Sequence, residues 1–347
     1  MASENAALGE FELIARCFKG PAAGFAATAL RHPKALGIGD DGAVLAPRPD
    51  GEQLVMAMDT MVESRHYFPD VDPAALGHKC LAVNLSDLAA MGAKPLGFTL
   101  SLAIRESRTS WLEEFSRGLL GLAQRWDCAL LGGDTVRVPI GSAETISVAA
   151  LGTVPTGMAI MRSGAREGDD LWVSGELGDP MIALTQDHRD AKLCWPQPRV
   201  ALGLALRDIA HAAIDISDGL ASELAHLMRA SSAASSTNLV ARVRLEALID
   251  CFGARLSRRL ASGEAPRMLC RIAASGGDEY ELLFAAPAEH RSALEALASR
   301  LALPLHCIGR VAQSADASAA LSPVIWEDAQ ARPLPTSEWP KPGFEHF

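Results

Sequence analysis

Residues Asp72 to Gly92 read DPAALGHKCLAVNLSDLAAMG, and this stretch sets the fold class because strand patterns lie on both sides of it. Asp72 followed by proline predicts an N-cap with proline at the first helical position, and Gly92 predicts a helix end near Met91. The apolar runs Leu54 to Met58 and Leu96 to Ile104 predict the flanking strands. Strands and helices alternate in this way along the chain, which predicts an α/β or α+β architecture.

Other local patterns predict the surroundings of several polar residues. The apolar run that ends at Met58 places Asp59 at a strand terminus, and the strand Cys128 to Leu131 leads into a turn, Gly132-Gly133-Asp134. The remaining predictions are a capping box from Ser110 to Glu113, a strand from Asp170 to Ser174 and a polar surface loop from Ser231 to Thr237.

Composition limits the class of protein. The chain has 347 residues, of which 49% are hydrophobic and 21% are charged, as in a globular protein large enough for two domains. The net charge of −10 disfavours non-specific binding to nucleic acid or to an anionic membrane. Seven scattered cysteines without a C-x-x-C pair, no signal-peptide pattern and no long apolar window predict a cytoplasmic location.

The turn Pro155-Thr156-Gly157 separates two series of strand and helix patterns. We therefore expect an N-terminal domain over residues 1–156 and a C-terminal domain over residues 157–347.

Upstream of the helix, Gly37 to Gly42 read GIGDDG and match the G-x-G-x-x-G pattern of dinucleotide-binding turns. That turn needs a strand before it and a helix after it. The following run, Ala43 to Pro49, contains two prolines and reads as a strand or loop. The match therefore does not predict a dinucleotide site, and the two adjacent carboxylates need another explanation.

Acidic residues recur at predicted turns, at strand ends and on one helix face. Two carboxylates about 4 Å apart repel by roughly 4 kcal/mol at an effective dielectric constant near 20, so a site that gathers several must hold cations. Oxygen ligands select Mg²⁺ or Ca²⁺, and Mg²⁺ usually binds together with substrate phosphates. Each acid taken singly is also explained as a solvated turn residue or a helix cap. The set comprises Asp40, Asp41, Asp59, Asp87, Asp134, Asp215, Asp218 and Asp278.

Other catalytic motifs do not fit the chain. It contains no P-loop, no H-E-x-x-H motif and no cluster of histidine with cysteine, so neither a Walker site nor a zinc site is expected. His188-Arg189-Asp190 lacks the asparagine and the D-F-G partner of protein kinases and is interpreted as a chance tripeptide on a helix.

Taken together, seven segments resemble the thiamine-monophosphate kinase family, in the family's order and over nearly the whole chain. The resemblance implies the fold of the aminoimidazole-ribonucleotide-synthetase-like superfamily, with an N-terminal α/β domain that pairs across a dimer and a C-terminal α/β domain. It also implies transfer of phosphate from ATP to thiamine monophosphate, the last step of thiamine diphosphate biosynthesis. The segments are GIGDDGAVL, MDTMVESRHYFPDVDPAALGHKCLAVNLSDLAAMGA, LLGGDT, MRSGAREGDDLWVSG, AIDISDGLASELAHL, SGGDEYELLF and GFEHF.

The resemblance also implies roles for individual residues. Several Mg²⁺ ions are expected, with ATP as co-substrate and a homodimer as the assembly. Taken alone, His66 and Arg162 are better explained as a half-buried polar residue and a surface arginine. The implied metal ligands are Asp40, Asp41, Asp59, Asp87, Asp134, Asp215 and Asp218; the ATP contacts are Gly133, Asp134, Arg162 and Ser217; the thiamine monophosphate contacts are His66, Asp278 and Phe344.

Three departures from the family pattern bear on the site. Ala57-Met58 replaces Ser-Thr before Asp59, Asp278-Glu279 exchanges the usual Glu-Asp order, and Glu345 stands where aspartate is common. We expect either a weaker metal site at Met58 or, alternatively, a Met58 side chain that points into the core. The loss of the two hydroxyls also leaves open a degenerate or regulatory nucleotide-binding homologue.

The implied chemistry needs no general base. The acceptor is itself a phosphate, whose second pKa near 6 leaves its oxygen largely deprotonated at pH 7. We therefore expect direct in-line transfer without a phosphoenzyme. The selenophosphate synthetase and the hydrogenase-maturation dehydratase of the same superfamily need a reactive cysteine or selenocysteine near a terminus. Cys17 in a predicted amphipathic helix and the ending EHF disfavour both of these functions. The purine-pathway synthetases of the superfamily stay open as an alternative.

Overall fold

The computed structural model describes Lys19 and residues 33–314, 323–341 and 343. The candidate substrate residue Phe344, together with Glu345, Cys17 and the helix expected at Glu10 to Phe18, therefore lies outside the described residues. Among the described residues, no helix combines the length and apolar character needed to cross a membrane.

The first half of the described chain forms a five-stranded sheet in the order β1-β2-β5-β3-β4. All neighbouring strands are antiparallel except β3 and β4, which are parallel. The strands are β1 (Ala43–Val44), β2 (Glu52–Val62), β3 (Lys94–Ile104), β4 (Ala129–Arg137) and β5 (Thr145–Pro155).

Two helices cover one face of this sheet, α1 (Pro73–Ala90) and α2 (Thr109–Arg125). The Asp72 side chain accepts the Ala75 N–H at 2.9 Å and caps α1 as expected. The helices cross closely because both carry glycine at the contact: a Cβ on Gly77 would lie 2.0 Å from the Phe115 carbonyl oxygen.

Side chains of β2 and β5 alternate between the two faces of the sheet, as the pleat requires. One face packs on the helices and contributes Val55, Ala57 and Met61 to the core. The opposite face, called the outer face below, carries Met56 and Met58.

The second half of the described chain forms a six-stranded sheet in the order β11-β8-β10-β6-β9-β7. Its strands are β6 (Asp170–Ser174), β7 (Ala212–Asp215), β8 (Leu239–Arg244), β9 (Leu282–Ala286), β10 (Leu305–Gln313) and β11 (Val324–Glu327). The helices of this half are α3 (Asp179–Gln186), α4 (Ala191–Cys194), α5 (Val200–Ala205), α6 (Leu220–Ser235), α7 (Ala254–Ala261), α8 (Pro266–Ser275) and α9 (Arg291–Leu301).

One hydrophobic cluster joins the two halves. Trp172 and Phe284 of the second sheet belong to the same cluster as Leu85 and Phe98 of the first half. A second cluster lies within the second half. The last strand of the first sheet ends at Pro155, beside the expected domain boundary, but that boundary stays a prediction.

Two strand predictions were wrong. Asp59 was expected at a strand terminus, but β2 continues to Val62 and places Asp59 inside the strand. Gly132-Gly133-Asp134 was expected in a turn but lies within β4. Glycine is needed there for a close approach of two strands, because a Cβ on Gly133 would lie 1.9 Å from the Leu100 carbonyl oxygen.

Two interpretations of short polar segments were also wrong. The run Ser231 to Thr237, read as a surface loop, is helical through Ser235. Ser231 is buried and its hydroxyl donates to the Arg162 carbonyl at 2.9 Å, so tertiary contacts override the loop composition. The tripeptide starting at His188 lies in a turn between α3 and α4, where Asp190 caps α4.

Candidate functional site

A cavity of about 1010 Å³ gathers most of the acidic residues that the sequence indicates. Elements of both halves line it, including β2, α1, the end of β7 and the loop before β1. The sequence-predicted residues on its wall are Asp40, Asp41, Asp59, His66, Asp87, Arg162, Asp215, Ser217, Asp218 and Asp278. Gly133 and Asp134 are absent from this wall.

Three carboxylates converge at the base of the cavity. Asp41, Asp87 and Asp215 each present one oxygen atom, and these atoms lie within 4.8 Å of one another. They come from the loop before β1, the last turn of α1 and the C-terminal end of β7. Asp59 of β2 adds a fourth carboxyl group, hydrogen-bonded to Asp87. We call these four residues the carboxylate cluster.

Burial and mutual repulsion disfavour the charged form of these groups. Burial, followed by the charge of Asp41, raises the pKa of Asp215 from 3.8 to about 8. The pKa of Asp87 rises well above its usual value through burial and the charge of Asp59. Burial likewise raises the pKa of Asp59. Without a cation, the cluster therefore retains protons near neutral pH.

Arg162 is the basic residue in direct contact with this end of the cavity. Its guanidinium donates to Asp41, with an Nε to Oδ2 distance of 3.0 Å, and its backbone N–H donates to Asp40 at 3.1 Å. The Asp41 side chain is fully buried, and that of Arg162 is 16% exposed. Burial, followed by repulsion from Asp41, raises the pKa of Asp40 to about 7. Arg162 thus compensates only part of the negative charge.

The donor set suits a hard divalent cation. Magnesium takes oxygen ligands, and Asp41, Asp87 and Asp215 each offer one oxygen atom within 4.8 Å of the other two. One turn before Asp87, the Oδ1 atom of Asn84 is buried without a hydrogen-bond partner among the described residues. A buried polar atom without a partner is costly unless a ligand satisfies it. The residues therefore fit Mg²⁺.

The turn between β7 and α6 forms a second part of the wall. Ser217 and Asp218 precede the N-cap Gly219 of α6. Glu223, buried on α6, accepts the Asp218 N–H at 3.2 Å and fixes this turn. Gly343 closes it from the other side, since a Cβ there would lie 1.7 Å from the Asp218 carbonyl oxygen.

His66 and Asp278 lie where the large cavity meets a smaller, mostly apolar one. The Nδ1 atom of His66 accepts the Val62 N–H at 2.9 Å, so the neutral ring carries its proton on Nε2. Asp278 pairs with Lys79 at 2.8 Å and accepts a hydrogen bond from the Tyr280 hydroxyl at 3.0 Å.

The exchanged acids have different surroundings. Asp278 reaches the cavity, whereas Glu279 is buried and accepts the Gly178 N–H at 2.5 Å near the start of α3. With Asp278-Glu279 in place of the usual Glu-Asp order, the aspartate carboxylate therefore lies in the cavity and the glutamate carboxylate in the core.

Met58 does not point into the core, so that alternative was wrong. Met58 is 62% exposed on the outer face, where it also lines the large cavity, while Ala57 is buried on the helix side. Alternation along β2 separates Met58 from Asp59, which faces the cluster.

Asp134 is not brought to the carboxylate cluster. A row of paired residues crosses the sheet from β4 to β2. Asp134 of β4 is paired with Ser101 of β3, which is paired with Ser147 of β5, and Ser147 is paired with Thr60 of β2. Three strand spacings make a separation of roughly 14 Å between Asp134 and Thr60. Asp134 belongs to the exposed edge strand β4.

The sequence interpretation missed Lys79, Tyr280 and Glu223, which contact the predicted residues. A signal existed for Lys79, because a lysine inside an otherwise apolar, small-residue helix is rarely buried without a specific partner. Tyr280 and Glu223 gave no such signal, since their partners come from distant turns.

Comparisons with known proteins agree on one family. A model described as AIR synthase related protein, N-terminal domain, matches residues 39–154. The thiamine-monophosphate kinase of Escherichia coli (strain K12) is 40% identical over 318 residues, covering 88% of this chain and 91% of that protein. The thiamine-monophosphate kinase of Haemophilus influenzae is 34% identical over 353 residues, covering 98% of each chain.

Solved structures give the same result. The crystal structure of thiamine-monophosphate kinase from Stenotrophomonas maltophilia K279a is 41% identical, has a TM-score of 0.69 and covers 88% of this chain and 95% of its own. The structure of AaThiL complexed with AMPPCP and TMP has a TM-score of 0.76 over 100% of both chains; at 24% identity it shows the fold alone. The expected α/β fold is confirmed, and the pairing of N-terminal domains across a dimer stays a prediction.

Proposed function

The chain belongs to the thiamine-monophosphate kinase family, and from that premise we propose that it transfers the γ-phosphoryl group of ATP to thiamine monophosphate. The products are thiamine diphosphate and ADP. The observation that carries the proposal is the convergence of Asp41, Asp87 and Asp215 on one cavity. Such a cluster suits the binding of phosphates through metal.

We propose that Asp41, Asp59, Asp87 and Asp215 hold Mg²⁺, with Asp40 and Asp218 beside them. Mg²⁺ held by these residues would supply positive charge to the phosphate oxygens of both substrates during in-line displacement. We propose that Asp134 also contributes to this metal site, but to the site of the neighbouring subunit in a dimer.

The remaining residues bind and orient the substrates. Arg162 is suited to the ATP phosphates because its guanidinium presents several donors in a fixed plane. Ser217 and Gly133 are proposed as further ATP contacts. His66, Asp278 and Phe344 are proposed to hold thiamine monophosphate. No residue needs to remove a proton from the acceptor, whose phosphate is largely ionised at pH 7.

We further propose a cytoplasmic homodimer that associates through the outer face of the first sheet. Large apolar side chains are exposed on the strands of this sheet, which is unusual for a surface that stays in water. On the outer face these are Met56, Met58 and Val136. The two domains of each chain are proposed to divide near residue 156.

The test is an assay of ADP release with thiamine monophosphate, ATP and Mg²⁺, with thiamine diphosphate identified by chromatography. We expect turnover with thiamine monophosphate, none with thiamine, which lacks the acceptor phosphate, and none with Asp87→Asn. Binding of ATP without turnover would instead support the regulatory homologue that Ala57 and Met58 suggest. A covalent phosphoprotein that forms and decays during turnover would contradict direct transfer.

A further inference from the structure

Lys79 is a buried lysine in the first half of α1, with a side chain that is only 7% exposed. Burying an ammonium group is costly unless it is paired. Its partner is Asp278, at 2.8 Å from Nζ to Oδ1, and its ammonium also lies 6.0 Å from the centroid of the Tyr280 ring. Lys79 therefore connects α1 to the turn that carries a proposed substrate residue.

Both partners of Asp278 bind the same oxygen atom. Lys79 Nζ and the Tyr280 hydroxyl each contact Oδ1, at 2.8 Å and 3.0 Å. The contacts given for Asp278 among the described residues are made by Oδ1, which leaves Oδ2 as the other oxygen of the same carboxylate. Asp278 lines both cavities and is 32% exposed, so Oδ2 is the atom that remains for a ligand.

The backbone at this turn needs such support. Asp278 and Tyr280 have φ angles of 62° and 52°, in the left-handed region that non-glycine residues seldom adopt. A backbone of this kind persists only where its surroundings fix it. Here the Asp278 N–H donates to the Ser217 carbonyl at 2.7 Å and the Tyr280 N–H to the Ile216 carbonyl at 2.8 Å. The side-chain contacts of Asp278 complete this arrangement.

We propose that Lys79 is a positioning residue, which together with Tyr280 orients Asp278 so that its Oδ2 atom faces thiamine monophosphate. The inference rests on the proposed function and deepens it, because it assigns recognition of the acceptor, and not of ATP, to a residue of α1. The cationic thiazolium and amino groups of thiamine monophosphate are the chemistry that such a carboxylate oxygen recognises.

The test compares Michaelis constants in five variants: Lys79→Met, Tyr280→Phe, Asp278→Asn, the double variant Lys79→Met with Asp278→Asn, and the control Lys94→Met at the exposed start of β3. We expect Lys79→Met to raise the KM for thiamine monophosphate about tenfold, because it loses a charge-assisted contact. Tyr280→Phe has a smaller effect in the same direction. The KM for ATP stays unchanged in all of them, and Lys94→Met behaves as the unmodified chain.

The double variant decides whether Lys79 acts through Asp278. If it does, adding Lys79→Met to Asp278→Asn raises the KM no further, because coupled residues are not additive. An additive effect, or an equal rise in the KM for ATP, overturns the proposal. Thermal melts identify a variant that fails to fold, in which case Tyr280→Phe, tested in the Asp278→Asn background, takes its place.

Calorimetric binding of thiamine monophosphate separates this inference from the proposed function. If the unmodified chain turns over the substrate and Lys79→Met leaves its affinity unaltered, only the inference is overturned. If the unmodified chain does not bind thiamine monophosphate, both are overturned.

Discussion

Asp215 and Asp40 carry the clearest consequence of burial at the scale of single residues. The pKa of Asp215 is about 8 and that of Asp40 about 7, against 3.8 for each ordinarily. Above pH 4 the unfolded chain has lost both protons, whereas the folded chain retains that of Asp40 up to about pH 7 and that of Asp215 up to about pH 8. Stability therefore falls as pH rises through this window.

We expect the melting temperature of the metal-free protein, held in chelator, to fall steadily from pH 5 to pH 8. Asp215→Asn should flatten this slope, since it removes the group with the higher pKa. Added Mg²⁺ should raise the melting temperature most at pH 8, where the cluster is most readily ionised. An equal slope in Asp215→Asn and the unmodified chain would show that the titrating group lies elsewhere.

Arg162 gives a second prediction at this scale. Breaking a buried ion pair by removing one partner costs about 3–5 kcal/mol, and Arg162→Met would leave Asp41 without its guanidinium. We expect a lower melting temperature without metal and a larger gain on adding Mg²⁺ than in the unmodified chain. The control is Arg117→Met, whose partner Glu114 is exposed; such a pair contributes about 1 kcal/mol or less. Equal losses in the two variants would refute the role of Arg162.

Strand β2 shows what alternation does at the scale of an element. Its odd-numbered residues Ala57 and Asp59 face the helices and the cluster, while Met58 and Thr60 face outward. A single strand therefore serves both the cavity and the outer face. The departure from the family pattern at Ala57-Met58 falls on both faces at once.

We expect Ala57→Ser combined with Met58→Thr to lower the Mg²⁺ concentration that gives half-maximal rate. Serine at position 57 adds a hydroxyl on the face of Asp59, and threonine at position 58 replaces a thioether, a poor ligand for Mg²⁺, with a hydroxyl on the cavity wall. Since Met58 is 62% exposed in the single chain, its replacement should cost little packing energy within the chain, and sedimentation would show any effect on the proposed dimer. A Mg²⁺ titration with thermal melts tests both points. An unchanged Mg²⁺ dependence in the double variant would refute the metal explanation, and the two single variants would show which face is responsible.

Elements with strong local signals could be predicted from the sequence. Asp72 and Pro73 fixed the start of α1, and Asp170 to Ser174 was predicted with its observed bounds. Elements set by distant contacts could not. The capping box expected at Ser110 is absent, since α2 begins at Thr109 after Arg108, which makes no side-chain capping bond. The Arg108 side chain pairs instead with the buried Glu144, a contact between residues 36 positions apart that no local pattern predicts.

At the scale of the whole molecule, Asp134 lies on the edge strand, so the proposed site would be complete only in an assembly of two chains. Asp134 lies on the strand beyond β3, remote from Asp87 in the same chain. If it binds metal or ATP, it does so in the neighbouring subunit of a dimer. Closed twofold dimers make such sharing reciprocal.

We expect Asp134→Asn and Asp87→Asn each to abolish most turnover while the fold remains intact. Mixed dimers of the two variants should regain about a quarter of normal activity, because half the dimers are mixed and each has one complete site. Met56→Glu, placed on the outer face, should weaken association and prevent this recovery. The measurement is the rate after co-expression, with sedimentation to follow assembly.

No recovery in mixed dimers would mean that Asp134 does not act across subunits. Near-normal activity of Asp134→Asn at low Mg²⁺ would exclude Asp134 as a metal ligand.

The family's motifs allowed most of the site to be predicted, although the residues are far apart in sequence. Asp41, Asp87 and Asp215 do converge, but no local pattern in the chain indicates that distance. Lys79 and Tyr280 escaped prediction because their contact with Asp278 depends on the packing of α1 against the second half. Long-range packing of this kind is not encoded by propensity or periodicity.

The contact of Gly343 with the Asp218 turn has a consequence for the order of events during synthesis. The wall of the cavity begins at Ile38 and includes Gly343, so about 300 residues must be translated between its first and last members, which takes roughly 15–60 s at the usual rate. Throughout that time Asp41 and its neighbours lack the elements that bury them. A nascent chain can therefore keep these carboxylates hydrated and ionised, and the energetic conflict among them arises only when translation is almost complete.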